Sequence, residues 1–195
     1  MSAPVAPLSF DHRFAAVWNG KRIGAHRVAA RPSRDGASMT VTTEIELAVK
    51  FGMITMFRYR HRSVESWGGG RLQAITSRTE DDGAVYTVDG AIAADGFAIR
   101  GPRGEGTADA PLLTSNSLWT RAITGERQII DAQWGHVVPL SVGVADRQRL
   151  GRGLEADHYR FTTPEWSGSL WYEDETWVRA LLSRKGETIT LDRDG

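Results

Sequence analysis

Tyr59 and His61 stand two residues apart in the run Phe57-Arg58-Tyr59-Arg60-His61-Arg62, so an extended chain turns both to one side. A phenol and an imidazole on one face can hold a polar ligand or move a proton, since the imidazole titrates near neutral pH. The competing role for the pair is packing, with both rings closing the open end of a core and their polar atoms bonded to backbone. Further along, Ser115, Asn116 and Trp119 form a polar stretch with an aromatic residue, the kind of loop that closes a ligand site over the mouth of a β-barrel. There too the alternative is packing, with the Trp plugging the barrel end. The expected ligand-contacting set is therefore Phe57, Tyr59, His61, Ser115, Asn116 and Trp119, with His61 and Tyr59 as the candidates for any catalytic step.

Other chemistry is poorly supported. Arg58, Arg60 and Arg62 make a basic stripe that suits planar anions, but Glu44 and Glu46 lie on the strand expected to face it, and no nucleic-acid-binding motif accompanies it. His26, His136 and His158 lack the HxH or HxxxH spacing that puts two imidazoles together, so no metal is expected. The chain contains no Cys, which removes disulfides, thiolate metal sites and Cys nucleophiles. Ser115 has no GxSxG around it, and the glycines of GPRGEGT open no convincing helix, so neither a hydrolase elbow nor a nucleotide loop is expected, and no cofactor is implied. Trp134, Trp166, Trp171 and Trp177 fall near expected strand ends or turns, where they either fill a core or form platforms for flat ligands.

The elements that must position these residues are strands. From Met39 to Phe51, Met39, Val41, Thr43, Ile45, Leu47, Val49 and Phe51 alternate with Thr40, Thr42, Glu44, Glu46 and Lys50; after Gly52 the alternation resumes, with Met53, Thr55, Phe57, Tyr59 and His61 on one face. Reversal about Gly52 would set Leu47 against Phe57, Ile45 against Tyr59, Glu46 against Arg58 and Glu44 against Arg60. Asn19-Gly20, Asp35-Gly36, Gly68-Gly69-Gly70, Asp82-Gly83 and Asp95-Gly96 supply turns between strands at Phe14–Trp18, Ile23–Ala30, Met39–Phe51, Met53–Trp67, Leu72–Arg78, Val85–Asp89 and Phe97–Arg100. From Gly101 to Thr114 the pattern stops and a loop is expected, followed by one short helix at Ser115–Ile123. Strands return at Gln128–Asp131, Val137–Val142, Leu154–Thr163, Ser169–Tyr172, Trp177–Ser183 and Thr188–Asp192. So much antiparallel sheet must curl, split or close. An all-β fold follows, a curved half-barrel or lipocalin-like barrel with one short helix, or else a two-layer sandwich.

Tyr59, His61, Trp67, Arg71, Leu72, Ser77, Arg78 and Thr79, then Thr114, Ser115 and Trp119, then Tyr159 and Arg160, occur in an order that resembles a bacterial domain-of-unknown-function family, the one numbered 6134. The resemblance covers most of the chain and implies a mainly β fold. It also implies a periplasmic address, because many members carry export signals, and it implies no activity.

At 195 residues, 41% hydrophobic and 25% charged with formal net charge +0, the chain reads as one globular domain with no global field toward nucleic acid or an anionic membrane. Its expected divisions are a flexible segment 1–12, a meander 13–100, a loop and short helix 101–127, and a second set of strands 128–195. No apolar run nears the ~20 residues of a membrane-spanning helix, so membrane insertion is not expected. The start reads as cytoplasmic, or as periplasmic once a leader is removed. The leading expectation is a protein that encloses an apolar or amphipathic small molecule in its curved sheet, which needs a cavity of roughly 300 Å3 or more. A cofactor-independent isomerase or cyclase in the same cavity, and a structural or protein-interaction scaffold, are the alternatives.

Overall fold

The computed structural model describes residues 9–51, 54–109 and 113–194. Among these residues the alternation becomes sixteen strands: β1 (Phe10–Trp18), β2 (Lys21–Pro32), β3 (Ser38–Phe51), β4 (Ile54–Gly68), β5 (Arg71–Asp81), β6 (Ala84–Ala93), β7 (Gly96–Gly101), β8 (Gly104–Ala108), β9 (Gln128–Asp131), β10 (His136–Pro139), β11 (Ser141–Val142), β12 (Asp146–Arg149), β13 (Glu155–Thr162), β14 (Ser167–Glu173), β15 (Thr176–Arg184) and β16 (Glu187–Arg193). β1 begins ahead of the expected start at Phe14, inside the segment 1–12 expected to be flexible. Fourteen strands form one antiparallel sheet in the order β11-β13-β14-β15-β16-β1-β2-β3-β4-β5-β6-β7-β8, with β12 pairing β13 off that path. β9 and β10 form a separate hairpin. The last strand pairs with the first, setting Phe14 opposite Arg193 and Val17 opposite Thr190. A twisted sheet this long curls. It makes an all-β, barrel-like curve that does not close, β11 and β8 being the two ends of the path.

Turn chemistry sets the strand ends. Asn19 and Gly20 both sit at positive φ, 48° and 74°, as do Lys185 and Gly186 at 51° and 83°, the twist that lets two antiparallel strands continue without splaying. The β3–β4 hairpin keeps its expected faces but not its expected pairs. Leu47 opposes Tyr59, Ile45 opposes His61, Glu46 opposes Arg60 and Glu44 opposes Arg62. The turn expected about Gly52 lies outside the described residues. On either side of it, pairing of Phe51 with Ile54 moves the register by one residue, and a bulge between Val49 and Lys50 moves it by one more. A slip of two leaves every side chain on its own face, which is why the polarity pattern could not detect it.

Two further expectations are corrected. The stretch Gly101–Thr114 is not all loop, because Gly104–Ala108 pairs with β7 as a strand; its glycines carry no side chains and so hide the alternation. In place of a helix at Ser115–Ile123 there are two 3-10 turns, Ser117–Trp119 and Arg121–Gly125. Thr120 lies extended between them (φ −114°, ψ 129°), and its hydroxyl accepts the amide of Ala122, so it caps the second turn instead of continuing the first. The expected strand Val137–Val142 is also divided, β10 pairing with β9 and β11 with β13.

The concave side of the sheet is filled. Leu113 ahead of the 3-10 turns, Leu118, Trp119 and Ile123 from them, and Ile129 and Ile130 of the β9–β10 hairpin are buried in one cluster with Phe14, Trp67, Phe97, Tyr172 and Trp177 of the sheet. This plug is the reason so few helical residues suffice to cover so much sheet, since each large side chain it buries contributes on the order of 2 kcal/mol.

Candidate functional site

The inner face of β4 carries Tyr59, His61, Ser63, Glu65 and Trp67 at every second position. His61, Ser63, Glu65 and Trp67 are buried, and Tyr59 is half-buried at the end of the row. Sequence reasoning followed this face only to His61; continuing the same alternation would have reached Ser63 and Glu65. Asn116, from the start of the plug, reaches into the row: its side-chain amide donates to His61 Nε2 at 2.9 Å and to Ser63 Oγ at 2.8 Å. With Nε2 accepting, the ring proton sits on Nδ1 and is donated to Thr79 Oγ1 at 2.7 Å. Burial holds the His61 imidazole down to a pKa of about 4, so it is neutral at pH 7. With both nitrogens engaged, its chemistry here is to anchor Asn116.

One step deeper, the Thr114 hydroxyl donates to Glu65 Oε1 at 2.6 Å and the Trp67 indole donates to Glu65 Oε2 at 3.1 Å. The Thr114 oxygen also accepts the Asn116 amide N–H at 3.0 Å. Burial pushes the Glu65 carboxyl up to a pKa of about 7 against the two hydrogen bonds that favour its charge. Asn116→Ala would strip a donor from His61 and Ser63 at once. A loss of about 2 kcal/mol in unfolding free energy is expected in urea titration, and a loss under about 0.5 kcal/mol would contradict the anchoring role.

At the other end of the row the ladder opens. The Tyr59 hydroxyl donates to Gln133 Oε1 at 3.2 Å, and Gln133 Nε2 donates to Asp81 Oδ2 at 3.4 Å. Burial, followed by the negative charges of Asp81 and Asp131, raises the Tyr59 pKa, while the positive charge of Arg184 on β15 opposes the rise. Leu47 stands directly across from Tyr59, half-buried against the core, and Leu182 and Ile189, paired with each other on β15 and β16, are half-buried toward the same end of the sheet.

The six expected contact residues are thus distributed along one axis. His61 and Asn116 touch, and the Tyr59 ring stacks on the same ladder with its centroid 6.5 Å from that of His61. Phe57 lies half-buried beyond Tyr59. Ser115 turns to the β9–β10 hairpin, its hydroxyl accepting the Ala132 amide at 3.0 Å. Trp119 lies at the far end, 5.4 Å from both Trp67 and Phe10.

Open volume of ligand size lies on the outer face instead. A depression of about 690 Å3 runs among Arg13, Arg27, Glu44, Glu46, Arg60, Arg62, Arg78 and Glu80, and a second of about 330 Å3 shares Arg27, Glu44 and Arg62 with it. Its charges are largely matched: Glu44 lies 3.3 Å from Arg27 and 3.4 Å from Arg62, Asp11 grips Arg27, and Glu80 bonds Arg78. Among the described residues no three His, Asp or Glu side chains converge in a way that could hold a metal ion.

Two histidines noticed only for their separation have defined settings. His158 donates from Nδ1 to Asp146 at 2.8 Å and stacks on Trp171 with ring centroids 4.6 Å apart, beneath the unexpected strand β12. His26 is buried against Phe14 and Trp177, its Nε2 without a hydrogen-bond partner among the described residues. Of the four C-terminal Trp residues, Trp177 is core, Trp171 packs over His158, Trp166 packs on Phe161, and Trp134 lies against Tyr86 and Arg103.

The model of the domain of unknown function DUF6134 matches residues 14–194. No curated protein matches the chain. A crystal structure of a beta-barrel-like protein of the domain of unknown function DUF1849 from Brucella abortus is similar in fold. It superposes with a TM-score of 0.68 over 98% of this chain and 98% of that one, at 10% sequence identity. No helix among the described residues is long and apolar enough to cross a membrane.

Proposed function

The chain belongs to the domain-of-unknown-function family DUF6134, so its role must be read from its own geometry, and we propose that it binds an amphipathic small molecule at the open end of the curved sheet. The observation that carries this reading is the pairing, at one rim, of half-buried apolar side chains with a polar chain that ends in a phenol. Leu47, Leu182 and Ile189 present incompletely covered hydrocarbon toward one end of the sheet, while Tyr59, across from Leu47, forms a hydrogen-bonded series with Gln133 and Asp81 at that end. A ligand with an apolar body and a polar head would complete the burial of the first group and exchange a hydrogen bond with the second. The filled interior behind the rim supports a shallow site of this kind over full enclosure, because the plug occupies the space a swallowed ligand would need.

His61 contributes indirectly. It fixes Asn116, and with it the plug that forms the floor beneath Tyr59.

Intrinsic fluorescence titration with a medium-chain fatty acid, repeated by native mass spectrometry, tests the reading. The wild-type chain should take up one molecule. Tyr59→Phe, which keeps the ring and removes the hydroxyl, should weaken uptake by about tenfold, the value of one hydrogen bond to a bound polar head. Leu182→Ser should weaken it further while leaving the unfolding transition cooperative. No uptake by the wild type, or uptake indifferent to both substitutions, would remove the rim as the site.

A further inference from the structure

We propose that the outer face of β1–β5 carries a second binding site, one for a small zwitterion whose ammonium and carboxylate lie close together, as in a free α-amino acid. The inference does not depend on the rim reading, because it uses the other face of the sheet and different side chains.

The outer depression of about 690 Å3 follows from the strand register. Arg13 opposes Arg27, Arg27 opposes Glu44, Glu44 opposes Arg62 and Arg62 opposes Arg78, so one row of long charged side chains crosses five strands. Two residues along each strand lies a second row. Here Ala15 opposes Ala25, Ala25 opposes Glu46, Glu46 opposes Arg60 and Arg60 opposes Glu80. Ala15 and Ala25 are half-buried, and Ala25 lines the depression. The drop from long side chains to methyl groups leaves room beside Glu46.

The two rows use their charges differently. In the first, Arg27 is gripped by Asp11 and lies 3.3 Å from Glu44, and Glu44 also takes Arg62 at 3.4 Å. Arg78 bonds Glu80, which draws that carboxylate out of the second row. Glu46 and Arg60 remain. Both are exposed and directly opposed, yet among the described residues neither has an ion pair or a side-chain hydrogen bond. Opposite charges in register across two strands ordinarily join. Here a carboxylate and a guanidinium stand open side by side while their neighbours are engaged.

These two groups set the ligand. A carboxylate can take paired N–H donors from the Arg60 fork, and an ammonium can donate to Glu46. The other charges exclude simpler ligands. Five arginines line the depression, but three glutamates are set among them, Asp11 lies on Arg27, and Asp194 is shared by Arg13 and Arg22. A polyanion therefore finds no unbroken cationic stripe, and a lone anion at Arg60 would meet the Glu46 charge. A molecule that carries both charges satisfies both groups, and the depression has space for its side chain.

Titration of the full chain with L-alanine at pH 7, followed by backbone amide chemical shifts, tests this. Amides around Glu46 and Arg60 should shift with a dissociation constant of about 1 mM, low affinity being expected where water reaches both groups. N-acetylalanine, which lacks the ammonium, and alaninamide, which lacks the carboxylate, should each bind about tenfold more weakly. Glu46→Gln and Arg60→Gln should each weaken L-alanine binding to the same extent, and Glu46→Gln should not weaken binding of N-acetylalanine. If either variant fails to fold, the comparison of the three probes on the wild-type chain makes the same test. No shifts with L-alanine, equal binding of all three probes, shifts centred on Tyr59, or binding unchanged in the folded variants would overturn the proposal.

Discussion

Glu65→Gln is expected to stabilise the protein by about 3 kcal/mol above pH 7 relative to its effect below pH 4.5. The carboxyl is 1% exposed, and burial lifts its pKa from 4.5 to about 7, so the folded state binds its proton more tightly than the unfolded state does. The stabilisation this proton brings is complete below pH 4.5 and is lost as pH rises through 7. At pH 8 the native protein keeps a buried carboxylate that, among the described residues, is supported only by Thr114 and Trp67, with no cation lowering its pKa. Gln keeps the shape and removes the charge; its oxygen can accept from Trp67 and its amide can donate to Thr114. Chemical denaturation of both proteins at pH 4.5, 6 and 8 should give a stability difference that grows with pH and then levels off. A difference constant across that range would mean that Glu65 is not the group that titrates.

His26→Leu should stabilise the protein too, with the opposite pH dependence. The imidazole lies in an aromatic pocket, its centroid 5.2 Å from the Trp177 ring and 6.1 Å from Phe14, and burial takes its pKa from 6.5 down to about 3. The unfolded chain therefore gains a proton that the native state refuses. Stability is complete above pH 6.5 and falls as the pH drops toward 3, by about 3 kcal/mol at pH 4. His61 pulls in the same direction, through its own lowered pKa of about 4. Leu removes both this liability and an unpartnered Nε2, so a gain of about 1–2 kcal/mol at pH 8 should widen to about 4–5 kcal/mol at pH 4. A destabilised variant at pH 8 would point to a partner for Nε2, such as a bound water.

Glu65 and the two histidines together account for which parts of the site were legible. Period-two patterning reveals which face a side chain takes, and it placed Tyr59 and His61 correctly on the inner face of β4. It cannot reveal depth, so nothing distinguished half-buried Tyr59 from buried His61 two residues on. Nor could it foresee that a segment expected to be a helix would send Asn116 between His61 and Ser63, since that contact depends on how the plug folds back across the sheet. The hairpin register failed for a related reason: the offset at Phe51 and Ile54 and the bulge at Val49 and Lys50 each move it by one residue, and their sum of two preserves the polarity pattern. Strand β8 was missed because Gly104 and Gly106 leave one of its faces almost bare, so no apolar residues alternate along it. What was legible was the antiparallel sheet and its curl, which follow from many long alternating runs joined by Asn-Gly and Asp-Gly turns.

The pairing of β16 with β1 has a consequence for synthesis. β1 is made long before β16, so one of its two edges stays unsatisfied until β16 has followed it. Until then the growing meander offers an open strand edge to any neighbouring nascent chain, a setting in which extended segments mispair. β16 is therefore a lock that closes the middle of the sheet, and without it the two half-sheets would share no strand pairing and would be held together only by the plug and by core contacts such as Phe14 with Trp177.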